Sequence, residues 1–123
     1  MATFLYFAAF LTVALGVAHS YLGEKYILIR LFRRENLPKI FGDQEFTKRT
    51  LRFAWHITTV AWIGFAALLV HAGREDLTIP GTLRIVGVTA IISGLFPLIF
   101  TRGRHLAWVV LFAIGAIALW CAG

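Results

Sequence analysis

The stretch Thr50–Gly73, TLRFAWHITTVAWIGFAALLVHAG, constrains this chain more than any other. It contains no acid, and its one arginine, Arg52, stands near its start. A run of about 20 apolar residues satisfies all its backbone groups as one helix and is long enough to span a bilayer. Two histidines, His56 and His71, lie within it, and a plain membrane anchor has no need of either.

Three further stretches have the same character. Residues 3–22 carry no charge, residues 80–101 carry Arg84 alone, and residues 105–122 are apolar after His105. The chain is 59% hydrophobic and 15% charged, with mean hydropathy +0.80. A soluble domain of 123 residues needs a larger polar surface than that. The expected fold is therefore all-α: a polytopic membrane protein with four transmembrane helices in a bundle, making one domain over residues 1–123. Its helices are expected at about 3–22, 50–73, 80–101 and 105–122, with a polar loop at 24–49. The first twenty residues lack a basic leader region, so helix one reads as retained. Cys121 is the only cysteine, which excludes an internal disulfide and any CxxC metal or redox motif.

The formal charge of +6 does not point to nucleic acid. Between Glu24 and Arg49 there are seven Lys or Arg against four Asp or Glu, and Arg102 and Arg104 share the same side of a four-span topology. The remaining turn holds Arg74 with Glu75 and Asp76. The positive-inside rule then puts loop 24–49 in the cytoplasm and both termini on the other side, as in a bacterial-type inner membrane. Within the loop, apolar residues such as Tyr26, Ile27 and Phe32 alternate with Lys25, Arg30, Arg33 and Arg34. That mixture suggests that helix one continues out of the membrane and then lies along its surface, an amphipathic cytoplasmic segment suited to a partner or an anionic lipid. Asp43 or Thr47 can cap the next helix.

On helix one, Ala9, Thr12, Gly16, His19, Ser20 and Gly23 share a face of small and weakly polar residues that lets another helix approach closely. Depth sorts the histidines. His19, His56 and His105 lie near the cytoplasmic ends of three helices, and His71 stands alone at the other face. Ser20, Glu24, Arg52, Trp55, Thr59, Arg102, Arg104 and Trp108 fall near the first level. Three imidazoles with Glu24 as a fourth group would suit a transition metal, Zn, Cu or non-haem Fe. Two histidines on facing helices could instead hold a b-type haem, with Arg52, Arg102 or Arg104 on its propionates. A proton-handling or anionic-headgroup site is the third chemistry this set allows. Arg84, about a turn inside helix three, calls for a partner, and Glu75, Asp76 and His71 are nearest in sequence.

Family signatures are missing where they can be checked. Small multidrug exporters need a glutamate embedded in helix one, and residues 3–22 have no acid; mercury carriers need paired cysteines. No nucleophile–base pair marks an enzyme. The functional expectation is a binding or accessory membrane protein, homo-oligomeric or part of a larger complex, with a metal or haem at His19, His56, His105 and Glu24. A small transporter using the Thr12, Gly16, His19 and His56 surface is the alternative, and a ligand-free interaction subunit acting through Arg33 and Arg34 is a third.

Overall fold

A computed structural model describes residues 1–123, and its regular structure is all helix, with no strand. Helix α1 runs over Ala2–Leu22 and passes without a break through one π-helical turn, Gly23–Leu28, into the short α2, Ile29–Leu31. The continuous helical stretch, Ala2–Leu31, is 30 residues long. Helices α3 (Glu45–Gly73), α4 (Ile79–Phe100) and α5 (Ala107–Cys121) follow. Three of these stretches, Ala2–Leu31, α3 and α4, are long and apolar enough to cross a membrane.

Helix ends depart from expectation for local reasons. Helix one continues past Leu22, as the mixed residues 25–34 suggest, because nothing in GEKYIL breaks a helix once Gly23 can be accommodated. Glu24 is consequently a helical residue rather than the first of a loop. Helix α3 starts at Glu45, five residues before the apolar run: Asp43 Oδ1 accepts the Glu45 N–H at 2.9 Å, and Arg49 bonds Glu45 one turn back at 2.7 Å. The basic segment that closes on Asp43 is not a surface helix beyond Leu31; it folds into turns, with Ile40 bridging to Asp43.

Helix α4 is capped by Thr78, whose Oγ1 accepts the Gly81 N–H at 3.1 Å, while Pro80 occupies the first turn, where its missing N–H costs nothing. Thr78→Ala is expected to lower stability by about 1 kcal/mol, the usual cost of a lost cap. Denaturant unfolding in detergent should show it as a lower midpoint with an unchanged slope. Helix α5 begins at Ala107 rather than His105, since residues 101–106 form the turn.

The packing is serial. Helix α1 packs on α3, α3 on α4 and α4 on α5, and α1 meets neither α4 nor α5. The bundle expected from the sequence takes the form of a row of helices, each packed on the next. What holds the row together is small residues. Only 17 of 123 residues are buried, and they are mostly glycine and alanine, while Phe4, Phe7, Phe10 and Ile99 stand more than half exposed. A soluble core would have the reverse, large side chains inside. Close backbone approach is the mode of helix association where lipid covers the outer faces. At the α4–α5 seam a Cβ on Gly87 would sit 3.1 Å from the Gly115 carbonyl, and one on Gly115 would sit 3.0 Å from that of Gly87.

Candidate functional site

The α1–α3 seam is different from the other two, because polar side chains fill its basic end. Gly16, Ser20 and Glu24 recur at intervals of four along the first helix. Arg52, His56 and Thr59 recur at four and three along α3. Each set therefore forms one row on its helix, and the two rows face each other.

Glu24 is the hub. Its Oε1 accepts from Arg52 Nη2 at 2.8 Å, and its Oε2 lies 3.3 Å from Arg52 Nε and 3.0 Å from His56 Nε2. The guanidinium thus grips the carboxylate with its fork, and its carbon lies 4.9 Å from the centre of the Phe32 ring. His56 Nδ1 meets Ser20 Oγ at 2.9 Å, Ser20 Oγ meets Thr59 Oγ1 at 2.7 Å, and Thr59 Oγ1 donates to the Gly16 carbonyl at 3.0 Å. The result is one hydrogen-bonded chain from the carboxylate to a backbone carbonyl, crossing the seam. The His56 side chain is 19% exposed, against 37% for Arg52, so the chain runs from the wet end of the seam toward a drier interior.

Counting hydrogens shows what the chain can do. The four contacts His56–Glu24, His56–Ser20, Ser20–Thr59 and Thr59–Gly16 need four hydrogens. A carbonyl only accepts, so Thr59 must donate to Gly16; Ser20 then donates to Thr59, and His56 Nδ1–H to Ser20. The last hydrogen lies between His56 Nε2 and Glu24, on whichever holds it. A neutral imidazole beside an ionised carboxylate leaves the set one hydrogen short, and one contact across the seam goes unmade. One exchangeable proton therefore decides whether the whole chain is satisfied.

The acid–imidazole–hydroxyl order of Glu24, His56 and Ser20 resembles a nucleophilic triad in connectivity alone. Ser20 sits inside a helix, where backbone N–H groups are consumed by the helical ladder, so no donors stand ready for an oxyanion. Its hydroxyl is also held by both His56 and Thr59.

His19 lies beside the chain and outside it. Its ring stacks on Trp55 at 4.6 Å and 4°, with Trp62 at 5.4 Å. The two residues clamp each other: Trp55 Nε1–H donates to the His19 carbonyl at 3.0 Å, and His19 Nε2 lies 3.3 Å from the Trp55 carbonyl. His105 is elsewhere. Its Nδ1 accepts the Ala107 N–H at 3.3 Å at the start of α5, and its ring lies against Phe46 and Phe53.

The expected metal site of His19, His56, His105 and Glu24 does not assemble: no three His, Cys, Asp or Glu side chains come together to hold an ion. Equal depth did not mean a shared face. Both ring nitrogens of His56 are engaged, and one of His105 accepts the Ala107 N–H. Of the three arginines expected on haem propionates, Arg52 is bound to Glu24, whereas Arg102 and Arg104 line a separate hollow with Arg49. Thr12 turns its hydroxyl back to the Ala8 carbonyl. At the opposite end, Arg84 does not meet Glu75, Asp76 or His71. Its Nη2 donates to the Gly123 carbonyl at 3.4 Å, and His71 pairs with Asp76 at 2.8 Å.

Comparison with protein-family models, with curated proteins and with solved structures returned no match. The site is read from its own chemistry.

Proposed function

We propose that this chain is a small multi-pass membrane transporter or channel whose α1–α3 seam binds and passes a proton. The reading includes four spans. Helix α5 has 15 residues, about 22 Å, but the unbroken apolar run Leu106–Ala122 reaches the lower limit of about 17 residues for a span. Loop 24–49 faces the cytoplasm by its excess of Lys and Arg, so the proton site opens toward the cytoplasmic surface.

The observation that carries the reading is the four-contact chain with its single exchangeable proton. Ionisable groups inside a membrane segment are costly, and they stand there to move ions or protons or to pair with one another. Here the pairing itself is proton-dependent. Arg52 holds Glu24 in place, and His56 accepts or yields the proton. When the proton leaves, Ser20 can turn its hydroxyl from Thr59 to His56 Nδ1, while Thr59 goes on donating to the Gly16 carbonyl, so the change reaches the seam as a lost Ser20–Thr59 contact. A metal or haem on His56 would need one of its ring nitrogens to give up its present partner.

The test is proton flux into vesicles. Purified protein is reconstituted with a pH-sensitive dye inside and a potassium diffusion potential as the drive. Wild type should acidify the lumen, and His56→Asn should slow that by at least about tenfold. His71→Asn, on the far side, should leave the rate unchanged. Equal flux from wild type and His56→Asn, or flux no faster than empty vesicles, would sink the proposal.

A further inference from the structure

A second polar site lies at the same end of the molecule, on another flank of α3. It is a hollow of about 220 Å³ between the start of α3 and the α4–α5 turn, lined by Asp43, Glu45, Arg49, Arg102 and Arg104 with Phe46 and Thr101. We propose that it binds the phosphate group of an anionic phospholipid in the leaflet that surrounds it. This proposal does not depend on the proton-relay reading.

The charges in the hollow are unevenly used. Glu45 Oε1 is held by Arg49 at 2.7 Å, and Asp43 Oδ1 by the Glu45 N–H at 2.9 Å. Arg102 and Arg104 have no ion-pair partner, although two carboxylates line the same hollow. The one contact Arg104 makes through its charge is with the Phe41 ring, 5.8 Å from its guanidinium carbon. Arginines that served only to orient the chain could stand anywhere in the loops. These two are fixed on a six-residue turn, which Trp108 ties down by donating to the Gly103 carbonyl at 3.2 Å.

Three features select the ligand. Guanidinium groups match the oxygens of a phosphate in a fork geometry. The hollow stands at the mouth of apolar helices, where a lipid phosphate would lie, and basic pockets between spans on that face are a known mode of headgroup recognition. Beside it, Phe41 is 68% exposed and Ile40 42% exposed, at the tip of the Ile40–Asp43 turn. These are apolar anchors at headgroup level. A second cationic hollow, with Arg33, Arg34, Lys39 and Lys48, adjoins through Asp43 and supplies attraction without apolar walls.

The experiment is native mass spectrometry of the full chain in detergent, with phosphatidylglycerol or phosphatidylcholine added. Retention of phosphatidylglycerol over phosphatidylcholine by about tenfold is expected, and Arg102→Gln/Arg104→Gln should erase that preference. Arg33→Gln/Arg34→Gln removes the same charge from the neighbouring hollow and should retain it to within about twofold. Both pairs are exposed, and unchanged circular dichroism would confirm that the variants fold. Inorganic phosphate separates the sources. If it fails to displace the lipid, the headgroup is the ligand; if it displaces the lipid and binds with the same dependence on Arg102 and Arg104, the site takes free phosphate. Equal loss in both double variants would mean a diffuse positive field, and no preference in wild type would mean no site; either result overturns the proposal.

Discussion

Glu24→Gln is expected to abolish proton passage while leaving the helices assembled. Glutamine keeps the shape, and its carbonyl can still accept from Arg52 while its N–H donates to His56 Nε2, but it removes the carboxylate that can take up the exchangeable hydrogen. The hydrogen between His56 Nε2 and residue 24 then has no carboxylate to return to, so the chain cannot alternate between its filled and depleted states. Flux should fall by about a hundredfold, in the range associated with losing a positioned acid–base group. The stability cost is smaller. Removing one partner from a fully buried pair costs about 3–5 kcal/mol, but Arg52 is 37% exposed and can reach water, so about 1–2 kcal/mol is expected. The ring nitrogens of His56, followed by nitrogen NMR on labelled protein, report the cause directly. In wild type Nε2 shares the exchangeable hydrogen with Glu24; in Glu24→Gln the side-chain N–H donates to Nε2, which should then carry no hydrogen, while Nδ1 keeps the one donated to Ser20. An unchanged ring spectrum with lost flux would mean that Glu24 acts some other way.

The sequence makes some of this architecture readable and conceals the rest. Hydropathy marks residues 50–73 and 80–101 because lipid-length apolar runs admit only one backbone solution, the helix. It says nothing of the first turn of α3, where Glu45, Lys48 and Arg49 are polar and helical for local reasons. The mixed apolar and basic residues 25–34 do signal that helix one continues past Leu22, but not that it ends at Leu31. Small residues at Gly16, Gly64, Gly87 and Gly115 identify packing faces, but not which face meets which, so a closed bundle and a row of helices look alike. The candidate site suffers the same ambiguity. Depth along a helix is one coordinate and direction around it is the other. His19, His56 and His105 agree in the first and part in the second. The relay had a signal in the recurrence of Ser20 with Glu24 and of Arg52 with His56 four residues apart. Nothing in sequence alone put those two rows opposite each other.

The second large effect is expected at Gly23, where the chain tolerates no side chain at all. Gly23 opens the π-helical turn, in which the Ile29 N–H reaches back to the Glu24 carbonyl. Such turns concentrate at functional positions. The absent side chain makes room for the Trp55 indole: a Cβ on residue 23 would stand 2.0 Å from Trp55 Nε1 and 2.3 Å from Cε2. Those atoms are not the loose end of a flexible chain. Nε1–H is bonded to the His19 carbonyl, and the ring is stacked on His19. Gly23→Ala must therefore push the indole off both contacts or part α1 from α3. Overpacking of this kind costs about 1–3 kcal/mol, and the broken hydrogen bond adds about 1 kcal/mol, so a loss near 2–4 kcal/mol is expected. The displaced indole should also shift tryptophan fluorescence, which separates a local clash from general loosening. Trp55→Leu in the same chain removes the obstacle. The double variant should therefore be less destabilised than the two single losses added together, by about 1–2 kcal/mol of coupling. Strict additivity, or a Gly23→Ala protein that unfolds at the wild-type midpoint, would show that the indole does not sit against residue 23. The position of Glu24, one residue further along the same turn, would then lose its structural basis.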